Sequence, residues 1–336
     1  MTQKKRLEYI DVVAGIMIIW MILGHCRLFS HHQLPFPNYL SFYMPWFFYK
    51  SGIFFKTKDE KQLLSKDSVK FLRIFIVYSL IGWVVWSICG LMDHSLKLNS
   101  CFVKPIMSFI KNGSIKANGA LWFLLSLFLV RQLGNLILKN IQNRVFQLIA
   151  SFLFFAIAYG LFAIGWYKHS WWLGNICSGL CFFFLGYWLR DKERNKKLFI
   201  VSTAFYFMVV FAHSVGWISH FPYLYMHANK MYYGNYILFF PMALAGIVMT
   251  NNIFWNLCNH VKFRILEYVG RNSMNFYVTH WILLIFVAFI AKSIFHVESH
   301  STQLAIFIVA NIVFLPMISI FIDSLKTKYS FFNKIL

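Results

Sequence analysis

Long apolar runs separated by short polar stretches dominate this chain. Runs long enough to cross a bilayer, about 20 residues each, fall at 10–28, 36–55, 71–92, 119–139, 145–165, 171–189, 198–216, 231–250, 265–290 and 303–322. The pattern predicts an all-α polytopic membrane protein with about ten transmembrane helices. No long hydrophilic insert interrupts the series, so residues 1–336 are expected to form a single integral membrane domain with no separate soluble domain. The first run is too long for a signal-peptide core and no small-residue cleavage site follows Cys26, so it reads as a retained anchor.

Polar residues inside the runs carry most of the information, because ionisable groups at bilayer depth are costly and face the protein interior. In the first run Asp11, Gly15, Ile18, Ile22 and His25 step by four, three, four and three, so they share one helical stripe. At 1.5 Å per residue Asp11 and His25 sit roughly 21 Å apart along the axis, too far to pair. The second run is interrupted by Pro45 and by Lys50-Ser51-Gly52, which predicts a broken helix whose freed carbonyls and Ser51 face a cavity. Arg131 lies within the fourth run with no evident partner. In the ninth, Gly270, Ser273, Tyr277 and His280 form a second stripe. Ile10 to His25 and Ile265 to His280 each span fifteen residues, about 22 Å of helix, so the two histidines are expected at equal depth in one chamber.

Composition agrees with a membrane protein: 59% of residues are hydrophobic and only 13% charged, against about a quarter charged in soluble domains. A formal charge of +21 would suggest nucleic acid in a soluble protein, but here the distribution of the cations decides the reading. With the N-terminus inside, 21 Lys and Arg fall in inner loops, eight outside and three within runs, which is the positive-inside pattern and places both termini in the cytoplasm. Nucleic acid is therefore not an expected partner, and the lipid bilayer is. The six cysteines form no Cys-x-x-Cys pair and read as structural thiols, and the His31–His32 pair has no third ligand nearby, so no metal site is expected.

The most basic inner stretch, 56–73, ends in Lys70-Phe-Leu-Arg73, whose separation of three puts two cations on one helical face. That geometry suits a phosphate-bearing ligand, or equally a lipid headgroup. The outer stretch 93–118 carries Pro105-Ile-Met-Ser-Phe-Ile, expected to lie along the interface. Trp122 reads either as a member of the aromatic belt or as a platform on which a sugar ring stacks.

Five stretches resemble, in order, motifs of the acyltransferase 3 family of integral membrane acyltransferases, in its fucose 4-O-acetylase-like and polysaccharide O-acetyltransferase branch. They are Tyr9-Ile-Asp11 through Leu23-Gly-His25, Met44-Pro-Trp-Phe-Phe-Tyr-Lys-Ser51-Gly52, Leu121-Trp-Phe-Leu-Leu-Ser-Leu-Phe, Phe184-Leu-Gly-Tyr, and Tyr268-Val-Gly-Arg-Asn-Ser273 through Tyr277-Val-Thr-His280. The resemblance implies a protein of the bacterial inner membrane that moves an acyl group, usually acetyl, from cytoplasmic acyl-CoA to a hydroxyl of an envelope glycan or glycolipid. Acetyl-CoA is then a co-substrate and no bound cofactor is needed. His25 aligns with the family's catalytic histidine, and Lys70-x-x-Arg73 is similar to its basic donor motif.

Where the family often carries a cation before the first-helix glycine this chain has Ala14, and Lys50 is expected to replace it. Acyl transfer further calls for a general base, here His25, and for donors to the developing oxyanion, for which Ser51, Ser273, Tyr277 and His280 are candidates. Asp11 reads as a helix N-terminal acid or a partner for nearby cations. Two rivals remain at this level: a glycan-precursor transporter or flippase, against which no internal repeat is visible, and a non-catalytic partner in glycan assembly.

Overall fold

A computed structural model describes residues 8–26, 40–112, 115–165, 173–192, 194–219, 221–222, 224–227, 230–233 and 236–329. His31, His32, Arg27 and Lys168 lie outside these. The described chain is all-α apart from one antiparallel hairpin pairing β1 (Leu224–His227) with β2 (Lys230–Tyr233). Eight of its helical stretches are long and apolar enough to cross a membrane.

The first apolar run forms α1 (Glu8–His25). The second forms α2 (Tyr43–Ile53), 11 residues and too short to cross a bilayer by itself. Pro45 sits in its first turn, where a missing N–H leaves no bond unmade, so it does not break the helix as the sequence led us to expect. Lys50, Ser51 and Gly52 instead form the last turn, where the carbonyls of Lys50 and Gly52 accept from the N–H groups of Phe54 and Phe55.

The basic stretch expected to be an inner loop is helical. α3 (Glu60–Asp67) runs through a π turn (Ser68–Leu72) into α4 (Arg73–Met92). Leu63, Asp67 and Phe71, spaced by four, form its buried face. α5 (Leu98–Asn112) exposes Phe102, Val103, Ile106, Met107 and Ile110, as a helix lying in the membrane interface would.

A 3₁₀ segment (Lys116–Leu121) leads into α6 (Trp122–Asn140), followed by α7 (Arg144–Ala163), α8 (Leu173–Leu189), α9 (Lys196–Ser214) and α10 (Tyr236–Leu257). The ninth run divides at Asn272 into α11 (Arg264–Arg271) and α12 (Ser273–Phe289), and α13 (His300–Lys328) completes the bundle. Bonds from Asn272 N to Tyr268 O (3.1 Å) and Phe276 N to Asn272 O (3.2 Å) carry the ladder across the division. The chain therefore keeps climbing in one direction.

Two pairs of glycines let backbones touch, as small residues do in membrane helix packing. A Cβ on Gly15 would strike the Leu266 carbonyl, and one on Gly270 the Asp11 carbonyl, which locks α11 against the start of α1. Gly52 and Gly186 do the same for α2 and α8, through the carbonyls of Phe183 and Tyr49. On the other side, Asn275 Nδ2 donates to Asp323 Oδ1 (3.0 Å) and Ser319 Oγ (3.3 Å), tying α12 to α13. α1 thus packs on α11, α12, α10 and α2.

Candidate active site

A cavity of about 220 Å³ opens between α1, α2, the π turn before α4, α6 and α12. Its walls are apolar: Ile18 and Met21 of α1, Met44 and Phe47 of α2, Phe123, Leu124 and Leu127 of α6. Polar groups collect at one end, where Lys50, Ser51, Lys70, Arg131 and Ser273 line it. Tyr277 lies toward the other end.

The basic end is organised by an ion pair that the sequence did not reveal. Asp67, fully buried, accepts from Arg131 Nε (2.7 Å) and Nη2 (3.2 Å) and from Gln132 Nε2 (3.3 Å). The remaining Arg131 nitrogen donates to Ser51 Oγ (3.2 Å), and the guanidinium lies over the rings of Phe55 and Phe71, 5.1 and 5.7 Å from their centroids. One residue of α6 thereby joins α2 and α3. Nearby, Asn135 bonds both the N–H and the C=O of Lys58 (3.0 Å each), pinning the segment between α2 and α3 on α6. Lys58, outside the membrane-spanning helices, is held below the usual lysine range, first by the charge of Lys66 and then by desolvation.

Lys50 and Lys70 both face the cavity, and Lys50 Nζ sits 5.3 Å from the Trp46 ring. Arg73 does not line it. The expectation of one face for Lys70 and Arg73 assumed α-helical spacing, and residues 68–72 adopt a π turn with i→i+5 bonding, which changes their angular offset. Arg73 Nε is buried without a hydrogen-bond partner, within electrostatic reach of Lys326 on α13.

One helical turn beyond the far end of the cavity, two imidazoles meet. The rings of His25 and His280 are 5.2 Å apart at 41°. Met21 precedes His25 by four residues and Tyr277 precedes His280 by three, about one turn of 5.4 Å in each case. The two histidines therefore meet, as the residue count led us to expect, although the ninth run is not one straight helix and Gly270 belongs to α11 rather than to the stripe of Ser273, Tyr277 and His280.

Trp281 packs its edge on His25, 5.1 Å between centroids at 86°. Cys26 at the end of α1 accepts from Asn311 Nδ2 of α13 (3.5 Å). Asn118, non-helical within the 3₁₀ segment, donates to the carbonyls of Tyr78 and Val278 (3.4 Å each), joining α4 to α12 beside His280.

These bonds sort the expected oxyanion donors. The Tyr277 hydroxyl donates to the Ala120 carbonyl and is occupied. His280 Nδ1 lies 2.6 Å from the Tyr277 carbonyl, which can only accept, so Nδ1 carries the proton and Nε2 is an acceptor. In that tautomer His280 has no proton to offer an oxyanion. Ser51 accepts from Arg131 at the basic end, and Ser273 lines the cavity. Trp122 is buried, 5% exposed, and does not line this cavity. Trp281, directly after His280, is the aromatic at the site.

Asp11, 5% exposed, pairs with Arg271 Nε (3.5 Å), which also binds Glu267. It belongs to the α1–α11 junction, away from the histidines. Among the described residues no three His, Cys, Asp or Glu side chains converge as a metal site would require.

A family model described as an acyltransferase domain, of the acyltransferase 3 type, matches residues 7–322, nearly the whole chain. No curated protein and no solved structure matches.

Proposed function

The chain belongs to the acyltransferase 3 family of membrane acyltransferases, and on that premise we propose that it transfers an acetyl group from cytoplasmic acetyl-CoA to a hydroxyl of an envelope glycan or glycolipid, with His25 as general base. The observation that carries this reading is the cavity. It joins a cationic rim (Lys50, Lys70 and Arg131) to a point one turn short of His25, with apolar walls between. A donor with anionic phosphates at one end and a thioester on a long, thin arm has the same polarity. The excess of Lys and Arg on the rim's side of the bundle supports a cytoplasmic face there and an inner-membrane setting.

In this reading Lys50 and Lys70 hold donor phosphates as point charges. Arg131 is a lesser participant because Asp67 and Ser51 use its nitrogens. The arm lies along Ile18, Leu127 and Met21 and brings the thioester toward the imidazoles. His25 takes the proton of the acceptor hydroxyl as its oxygen attacks the thioester carbonyl, a role typically contributing about 10²–10⁴-fold. The departing thiolate recovers that proton. Lys50 fits the place of the missing cation better than a residue at position 14 would, since Ala14 is fully buried and an arginine there has no room.

The test uses membranes of the native host carrying wild-type or His25→Ala protein and given radiolabelled acetyl-CoA. The expected result is label in a glycan or glycolipid fraction for wild type and a loss of about 10²-fold or more for the variant. Equal labelling by the two forms would remove His25 from the chemistry. Absence of label with active transport of a glycan precursor would favour a transporter.

A further inference from the structure

His280 combines three properties seldom found together. It is fully buried, its Nδ1–H is committed to the Tyr277 carbonyl (2.6 Å), and its Nε2 lone pair has no hydrogen-bond partner. Buried polar atoms in folded proteins are nearly always satisfied, so an orphan beside a second imidazole calls for an account of what donates to it. The lone pair requires a donor.

The ring beside it is His25, 5.2 Å away between centroids. An N–H···N bond of about 2.9 Å, added to the centroid-to-nitrogen distance of each five-membered ring, comes to about this separation. The centroids are spaced for the bond, although His280 Nε2 does not make it in this conformation. Trp281, packed against His25 at 86°, borders the ring on one side.

A histidine base commonly needs a third group to set its tautomer. Among the described residues, Asp11 is committed to Arg271, Asp67 to Arg131 and Asp323 to Asn275. We propose that His280 is the positioning residue for His25, accepting its N–H at Nε2 so that the other nitrogen of His25 is left unprotonated toward the acceptor hydroxyl. The inference rests on the reading of His25 as base.

The proton inventory closes without a change in His280. The hydroxyl proton moves to the free nitrogen of His25 as the new C–O bond forms. The N–H already shared with His280 stays in place while His25 is an imidazolium. When the C–S bond breaks, the coenzyme A thiolate takes the proton from the same nitrogen that received it. A neutral imidazole thus fills the orienting place that a carboxylate has in other triads.

Three variants separate this from a purely structural part. The side chain of His280→Asn still reaches the Tyr277 carbonyl with an N–H but has no acceptor where Nε2 was. His280→Gln puts an amide oxygen near the Nε2 position, and His280→Met has the same length without one. Initial rates of label transfer from acetyl-CoA in native-host membranes give kcat and KM for the donor.

The proposal expects kcat to fall about 10²-fold in His280→Asn, with KM for acetyl-CoA little changed, and His280→Gln to be far more active than His280→Met. Wild-type kcat in His280→Asn overturns it. So does equal activity of the Gln and Met forms, a comparison that remains decisive if the Asn form does not accumulate. His25→Ala is run alongside. If it transfers label like wild type, the base assignment fails and this proposal with it. If it is inactive while His280→Asn is fully active, only the role of His280 is withdrawn.

Discussion

Replacing Arg131 by Met strands a carboxylate in the interior. In the native protein Asp67 is fully buried and receives three hydrogen bonds, two of them from Arg131, which is itself only 17% exposed. At 2.7 Å the gross attraction is about 6 kcal/mol for an effective dielectric constant near 20, most of it offset by desolvation of both groups. Removing the arginine alone leaves that desolvation uncompensated, and breaking a buried pair this way costs about 3–5 kcal/mol. Removing the charge from both sides, with Asp67→Asn and Arg131→Met together, is close to neutral because the Asn amide still bonds Gln132 and the Met fills the space over Phe55 and Phe71. The assay is resistance to unfolding of the detergent-solubilised protein, read as the fraction still eluting as a folded species after graded heating. Arg131→Met should be the least stable of the four forms, and the double variant should recover most of the loss. If the single variant matches wild type, or the double variant is worse than the single, Asp67 is not the buried charge described here and the basic rim is held by something else.

Two further outcomes follow from the same geometry. Gly270→Ala drives a methyl into the Asp11 carbonyl. Overpacking typically costs about 1–3 kcal/mol, and backbone cannot yield as a side chain does, so folded protein should be recovered in much lower yield than for Gly160→Ala, where nothing lies within 4 Å. Equal yields would contradict the close contact of α1 and α11. Lys70→Gln should raise KM for acetyl-CoA with kcat nearly unchanged, the signature of lost ground-state binding, and should do so more than Arg73→Gln, which does not border the cavity. The opposite order would place the donor phosphates on the α13 side of α4.

Much of this arrangement was legible in the chain itself. Spanning length and basic loops announce a helical membrane protein, and the steps of three and four that put Ile18, Ile22 and His25 on one stripe are local facts that packing respects. The meeting of His25 and His280 also followed from counting residues along two helices, and it survives the division at Asn272 because the hydrogen-bonded ladder continues on both sides. What the pattern could not supply was long-range partnership. Asp67 sits in a strongly charged stretch and reads as solvated, yet its spacing of four from both Leu63 and Phe71 was a signal that it faces inward. Nothing local says that Arg131, 64 residues later, receives it.

Departures from α geometry misled in the same way. The π turn separates Lys70 from Arg73, and a proline in a first turn ends no helix. Tautomer assignment needs the carbonyl of Tyr277 in place, so the change of His280 from donor to acceptor was beyond any reading of residue types.

The claim on which the account turns is that the donor reaches His25 through the cavity from the basic face. Met21→Cys, in a protein whose six native cysteines are replaced, puts a thiol on the cavity wall one turn before His25. The measurement is the rate at which a membrane-impermeant thiol reagent labels that cysteine in inside-out vesicles, with and without acetyl-CoA. Labelling from the cytoplasmic face that acetyl-CoA slows, and that it slows equally when His25 is also replaced by Ala, is the predicted result. Labelling only from the opposite face, or at a rate indifferent to acetyl-CoA, would contradict it.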